Sequence, residues 1–243
     1  MRPTYNSGEA EKTQKIGLTR ESLAQLIDHT LIRADVTAAE IDHLCKEAAE
    51  YHFKAVCVNP YWVKRCAQHL DTINVRVCCT IGFPLGATSH LSKISEVEQA
   101  LADGASELDV MINLGELKAG NREAVLEDLT DIVAAAQPDG RVKVILETCL
   151  LTDEEKKLGC EIAMEAGAKF IKTSTGFNMG GATVEDVKLI RGVVGTRLGV
   201  KASSRIHTLA QAKDLLEAGA TRLGCSRSVA ILRELNDGSD RIS

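Results

Sequence analysis

Three stretches of this chain repeat one design: "LADGASELDVM" (101–111), "MEAGAKFIKTS" (164–174) and "LEAGATRLGCS" (216–226). In each, a helix-forming ending meets Gly-Ala and passes into an apolar run of strand formers. Glycine after a helix supplies the left-handed backbone that closes it. A recurring unit of helix, tight turn and strand predicts a βα array. Strands are expected near 26–30, 55–59, 75–81, 107–113, 142–147, 169–174, 199–203 and 221–225. Between them, "TAAEIDHLCKEAAEYH" opens with a threonine cap and a capping-box glutamate at Glu40. "REAVLEDLTDIVAAA" and "LTDEEKKLGCEIAMEA" carry apolar residues at helical spacing. Eight such units in 243 residues predict a parallel (β/α)8 barrel, the TIM barrel, with a doubly wound open sheet as the competing arrangement. No Pro- or Ser-rich linker divides the chain. The expectation is a polar tail over 1–17 and one barrel domain over 18–243.

Aromatic residues make up only 3% of the chain, so Ala, Val, Ile and Leu must build the core. A net charge of -5 argues against nucleic-acid and membrane-surface partners, which favour basic faces. No apolar run reaches the roughly 18 residues of a membrane span, and the N-terminus lacks a secretory signal. Eight cysteines occur without a C-x-x-C pair, mostly in apolar runs such as "VRVCCTI". There they read as small buried hydrophobes in a reducing, cytoplasmic setting. Neither Cys66 with His69 nor His43 with Cys45 completes a metal site, so no metal or other cofactor is expected.

Two lysines break apolar strands: Lys172 in "FIKTSTGF" and Lys201 in "GVKAS". With Asp109 in "ELDVM" they occupy late strand positions, where barrel enzymes place their chemistry. Alternation turns them inward while Leu108, Val110, Ile171, Thr173, Val200 and Ala202 face outward. A lysine amine, protonated at its ordinary pKa of about 10.4, becomes a nucleophile when burial and a neighbouring cation lower that value. Lys201 beside Lys172 would supply that cation. A neutral amine forms a Schiff base with a carbonyl, and Asp109 would move the protons. Spacing alone equally allows solvated lysines paired with acids such as Asp109 or Glu147. The loop "STGFNMGG" could cradle an anion, although turn glycines are common in such loops.

At these residues the chain resembles the deoxyribose-phosphate aldolases, from about residue 20 to 235. The matching segments are "LIDHTLI", "VCVNP", "IGFPLGAT", "ELDVMIN", "FIKTSTGF", "GGAT" and "GVKAS". The resemblance implies a metal-free class I aldolase on a (β/α)8 barrel. It would cleave 2-deoxyribose 5-phosphate to glyceraldehyde 3-phosphate and acetaldehyde, in deoxyribose-phosphate catabolism. Lys172 then matches the Schiff-base lysine, Lys201 the assisting lysine and Asp109 the acid/base. Asp28 and Thr30 match residues near an active-site water network, and Cys57 a pocket cysteine. Thr175, Gly176, Ser204, Arg205, Gly224, Ser226 and Arg227 fall in segments that hold the substrate, chiefly its phosphate.

The departures cluster in those segments. Where the family reads G-V-K-A-S-G-G-I-R-T, this chain reads "GVKASSRIHT"; where it reads G-T/A-S-S-G, this chain reads "GCSRS". Arg205 and Arg227 would contact an anion, fill the phosphate pocket, or face solvent. If the replaced glycine before Arg205 had φ > 0, the loop must be reshaped. The expected partner is a small phosphosugar or aldehyde. A related aldolase with another, unphosphorylated aldehyde, or a non-catalytic ligand-binding barrel, are the other readings. A homodimer or homotetramer is compatible with exposed barrel helices.

Overall fold

The computed structural model describes residues 18–239; the tail expected over 1–17 lies outside them. Within those residues, eight parallel strands close into a barrel in sequence order. They are β1 (Ile27–Leu31), β2 (Ala55–Val58), β3 (Arg76–Ile81), β4 (Glu107–Met111), β5 (Arg141–Ile145), β6 (Phe170–Lys172), β7 (Gly199–Ser203) and β8 (Arg222–Cys225). Helices follow the strands and pack outside. The closed barrel settles the choice against an open sheet.

The repeated segments fold alike. Gly104, Gly167 and Gly219 all take positive φ, at 101°, 86° and 113°. In the first, Gly104 N–H bonds to Leu101 O at 3.0 Å and Ala105 N–H to Ala100 O at 2.9 Å. Gly167–Ala168 and Gly219–Ala220 make the same pair of bonds, which is a Schellman closure. The alanine is small enough to enter the core at once: Ala105, Ala168 and Ala220 are all buried. A fourth copy escapes the motif because His52, not glycine, holds the left-handed position, at φ 54°. Thr37 and Glu40 form the expected reciprocal cap on the helix Ala38–Tyr51, and Thr152 with Glu155 does so on Asp153–Glu165.

Strand alternation divides the molecule into two interiors. Val56, Val58, Leu108, Val110, Val142, Val144, Ile171, Val200 and Ala202 pack with the helices in one large core. On the opposite face, Ala55, Cys57 and Cys78 form a small separate cluster. Among the described residues, no helix is long and apolar enough to cross a membrane.

Candidate active site

The inner face of the barrel carries charge. Asp28, Glu107, Asp109, Lys143, Lys172, Lys201 and Arg222 are all buried. Register sets Lys172 opposite Lys201, Lys201 opposite Arg222, and Asp109 opposite Lys143. Asp109 is the hub. Its Oδ2 accepts from Lys172 Nζ and Lys201 Nζ, each at 2.7 Å. Its Oδ1 accepts from Lys143 Nζ at 2.8 Å and from the Cys78 thiol at 3.0 Å. Cys57 Sγ approaches Oδ2 at 3.6 Å.

A further layer lies toward the N-terminal strand ends. Asp28 Oδ2 meets Lys201 at 2.5 Å, and Oδ1 accepts from Arg222 at 2.6 Å. Glu107 binds Lys143, Arg222 and, at the outer end, Arg76, each at 2.8 Å. Four buried cations thus face three buried carboxylates, leaving one positive charge in excess. Burial by itself would raise the Asp109 pKa, but Lys143, Lys172 and Lys201 hold it well below the usual carboxylate range. Burial would lower Lys201, yet Asp109 and Asp28 carry it above the ordinary lysine value. Lys143 is raised in the same way against burial, by Asp109, Cys78, Glu107 and Asp28.

This arrangement corrects one expectation. Lys201 does not simply repel a charge on Lys172, because the Asp109 carboxylate lies between them. What separates the lysines is the number of anions each touches. Lys143 has three carboxylate partners, Lys201 two and Lys172 one. Lys172 is therefore the lysine held by the fewest ion pairs. Lys172 also stands under the Phe83 ring, 5.7 Å from its centroid, and Phe83 meets Phe177 edge to face. Those rings screen one side from water.

A cleft of about 620 Å³ opens above the cluster, with Lys172 and Lys201 in its lining. Thr30, Thr175, Gly176, Ser204, Arg205, Gly224 and Ser226 line it too. Asp28 and Cys57 are fully buried beneath it. Arg227 is elsewhere, lining a neighbouring cleft with His29, Glu47 and Arg233. Its successor Ser228 turns inward, bonding to the Cys225 carbonyl and to His29, which directs Arg227 away. Among the described residues Glu147 pairs with no lysine; its carboxyl group accepts from Thr175 and Asn178.

Ser204 and Arg205 hold φ of 73° and 60°, a glycine-like path followed by ordinary residues. A Cβ on Gly181 would meet Ser204 O at 2.8 Å and the Arg205 stem at 2.9 Å, so that glycine makes room for the loop. The Arg205 side chain is exposed and forms no ion pair among the described residues. Around the cleft, the N–H groups of Gly176, Ser204, Arg205 and Ser226 have no acceptor among the described residues. These unspent donors, one free guanidinium and the excess positive charge all favour an anionic ligand.

Sequence reasoning missed Lys143, Glu107, Arg222 and Cys78. The first two carry the signal that marks Lys172: a charge at an alternating position in an apolar run, in "RVKVILE" and "ELDVM". Two donor sets could approach a metal ion, Cys57–Cys78–Asp109 and Asp28–Cys78–Glu107. Their carboxylates already face ammonium or guanidinium groups, which occupy the place of a cation.

Residues 22–233 match the DeoC/LacD family aldolase. A deoxyribose-phosphate aldolase of Carboxydothermus hydrogenoformans is 54% identical over 221 residues, covering 90% of this chain and 97% of that protein. Deoxyribose-phosphate aldolase 1 of Bacillus licheniformis is 51% identical over 220 residues, covering 90% and 99%. The tetrameric deoxyribose phosphate aldolase structure from Aeropyrum pernix superposes with a TM-score of 0.84 at 32% identity, covering 90% of this chain and 92% of that one. With residues 22–233 matched by the family model and relatives at 51–54% identity over 90% of the chain, this barrel with paired lysines on β6 and β7 belongs to the DeoC/LacD family of aldolases.

Proposed function

We propose that this chain is a class I aldolase that cleaves 2-deoxyribose 5-phosphate into glyceraldehyde 3-phosphate and acetaldehyde. One observation carries the reading: Lys172, the least tethered of three buried lysines, lines the cleft and shares Asp109 with Lys201. The Lys172 ammonium releases its proton to solvent in the cleft, and the free amine attacks the C1 aldehyde of the open-chain sugar. The carbinolamine takes a proton on its hydroxyl and loses water, leaving an iminium. Removal of the C3 hydroxyl proton lets the C2–C3 bond break. The electron pair moves to C2 and into the iminium, giving an enamine and releasing glyceraldehyde 3-phosphate. Protonation of the enamine at C2 and hydrolysis release acetaldehyde and restore Lys172. Asp109 shuttles the protons, while Lys201, held charged by two carboxylates, stabilises the carboxylate between transfers.

The phosphate would lie at the loops after β6, β7 and β8, on the unpaired N–H groups of Gly176, Ser204, Arg205 and Ser226 with the Arg205 guanidinium added. Thr30, Thr175 and Gly224 would line the sugar, with Asp28 and Cys57 supporting the cluster from below. Arg227 is left out of this grip. The measurement is kcat/KM on 2-deoxyribose 5-phosphate and on 2-deoxyribose. A strong preference for the phosphorylated sugar is expected. Equal or reversed preference would mean that Arg205 fills the pocket, and that another aldehyde is the substrate.

We also place the protein in the cytoplasm, since eight free cysteines, seven of them buried, suit a reducing compartment. A homo-oligomer is proposed by analogy with the tetrameric Aeropyrum pernix protein, and light scattering of the full chain decides it.

A further inference from the structure

Glu147 concentrates two costs in one residue. It holds a left-handed backbone, φ 55° and ψ 64°, which is unfavourable for any residue with a Cβ. Its side chain is also completely buried, with no cation paired to it among the described residues. Backbone strain of this kind persists only where surrounding structure enforces it, and it gathers at functional sites.

The local geometry is a bulge. Leu146 N–H bonds to Lys172 O at 3.0 Å and Thr148 N–H bonds to Thr173 O at 2.9 Å. Two steps along one strand thus oppose a single step along the other, and Glu147 is the extra residue. A bulge re-aims a side chain, and here the carboxylate is directed at the loop that follows β6. Its Oε2 accepts from the Thr175 N–H at 3.3 Å, from the Thr175 hydroxyl, and from Asn178 Nδ2 at 3.0 Å. Thr175 Oγ1 in turn accepts from the Phe177 N–H at 3.1 Å. Apart from a long 3.7 Å contact with the Cys149 thiol, every donor comes from this loop.

We propose that Glu147 is a positioning residue for substrate binding, fixing the loop of residues 175–178 so that it grips the part of the substrate remote from Lys172. Thr175, Gly176, Phe177 and Asn178 all line the cleft over the lysines. With Thr175 and Phe177 N–H turned toward Glu147 and Thr175 Oγ1, the Gly176 N–H between them is left for a ligand. Glycine at φ 92° permits the sharp turn at that point. A glycine at 147 would relieve the backbone cost, but it would release all three loop tethers. The residue therefore acts through the loop and touches no reacting atom.

The inference rests on the aldolase reading, and the test separates the two. Glu147→Ala removes every tether; Glu147→Gln keeps the shape and one acceptor while turning an amide N–H toward the loop donors. With 2-deoxyribose 5-phosphate, Glu147→Ala is expected to raise KM about tenfold with kcat changed less than about threefold, and Glu147→Gln to fall between. Turnover of 2-deoxyribose, and borohydride trapping of acetaldehyde on Lys172, should stay within about threefold of wild type. Hydrogen exchange over 174–179 should quicken while the strands stay protected. Equal losses on both sugars, an unchanged KM in both variants, or unaltered exchange in the loop would overturn the proposal. If the wild type cleaves neither sugar, the aldolase reading fails by itself. Inorganic phosphate then serves as the probe: it must slow exchange at 174–179 in wild type and not in Glu147→Gln, and failure of that difference overturns the proposal. Should Glu147→Ala not fold, Glu147→Gln carries the same readouts.

Discussion

Replacing Lys143 by methionine tests the charge arithmetic of the barrel. Lys143 is fully buried and touches Asp109, Glu107 and Asp28, yet it does not line the cleft. Removing one member of a buried ion pair costs about 3–5 kcal/mol. Each carboxylate here keeps another cation, so the low end applies, about 3 kcal/mol. For a chain of this size that lowers Tm by roughly 6–12 °C. The catalytic effect follows separately. Lys143 and Lys172 reach opposite oxygens of Asp109, so their ammonium groups are on the order of 7 Å apart. At an effective dielectric of about 20, two unit charges at that distance repel by about 2.4 kcal/mol, or nearly two pH units. Without Lys143 that repulsion on an ammonium at Lys172 is gone. The rising limb of retro-aldol kcat/KM against pH should therefore move up by one to two units, roughly. The assay is that profile for wild type and Lys143→Met, with calorimetric Tm and circular dichroism of the same samples. A Tm within about 2 °C of wild type, or a limb that stays or moves to lower pH, would refute the reasoning.

Three further outcomes are expected. Ser204→Gly and Arg205→Gly each relieve about 1 kcal/mol of left-handed strain and should raise Tm by about 2–4 °C; a fall in Tm would show that the loop is not strained. Of the pair, Arg205→Gly should raise KM for the phosphorylated sugar about tenfold, because it alone removes a charge-assisted contact; kinetics on both sugars decide this. Asp109→Asn removes a carboxylate whose folded pKa lies well below its unfolded value. Its contribution is present above about pH 4 and is lost as pH falls through the folded value. The wild-type advantage in Tm over Asp109→Asn should therefore hold from about pH 5 to 9 and close only in stronger acid, which a calorimetric pH series checks.

The barrel was readable because its turns are chemical. Gly104, Gly167 and Gly219 announce their Schellman closures, whereas His52 makes the same closure without a glycine and leaves no sign. The bounds of β7 were read as they stand, while other strands had one or both ends one or two residues off, since a ladder ends where hydrogen bonds end and not where apolar residues do. Lys172, Lys201 and Asp109 were visible as charges inside apolar runs. Their partition was not, because it depends on Lys143 and Arg222, which reach the axis from two other strands, and on Glu107, two residues before Asp109. The loop substitutions Ser204 and Arg205 were visible, but their left-handed path depends on Gly181 across the loop. The direction of Arg227 was not legible for a similar reason: it is set by Ser228 and His29, which are distant from each other in sequence. Glu147 was visible only as an acid a lysine could pair with; its bulge, and its grip on the loop after β6, leave no sign in the sequence.

The central claim is that Lys172 is the amine that forms the Schiff base. Incubation with acetaldehyde and borohydride, followed by peptide mass analysis, tests it most directly. The account predicts an added ethyl group on Lys172 alone, absent in Lys172→Arg and strongly slowed in Asp109→Asn. Labelling of Lys201 or Lys143 in place of Lys172, or no labelling of a folded protein, would contradict it.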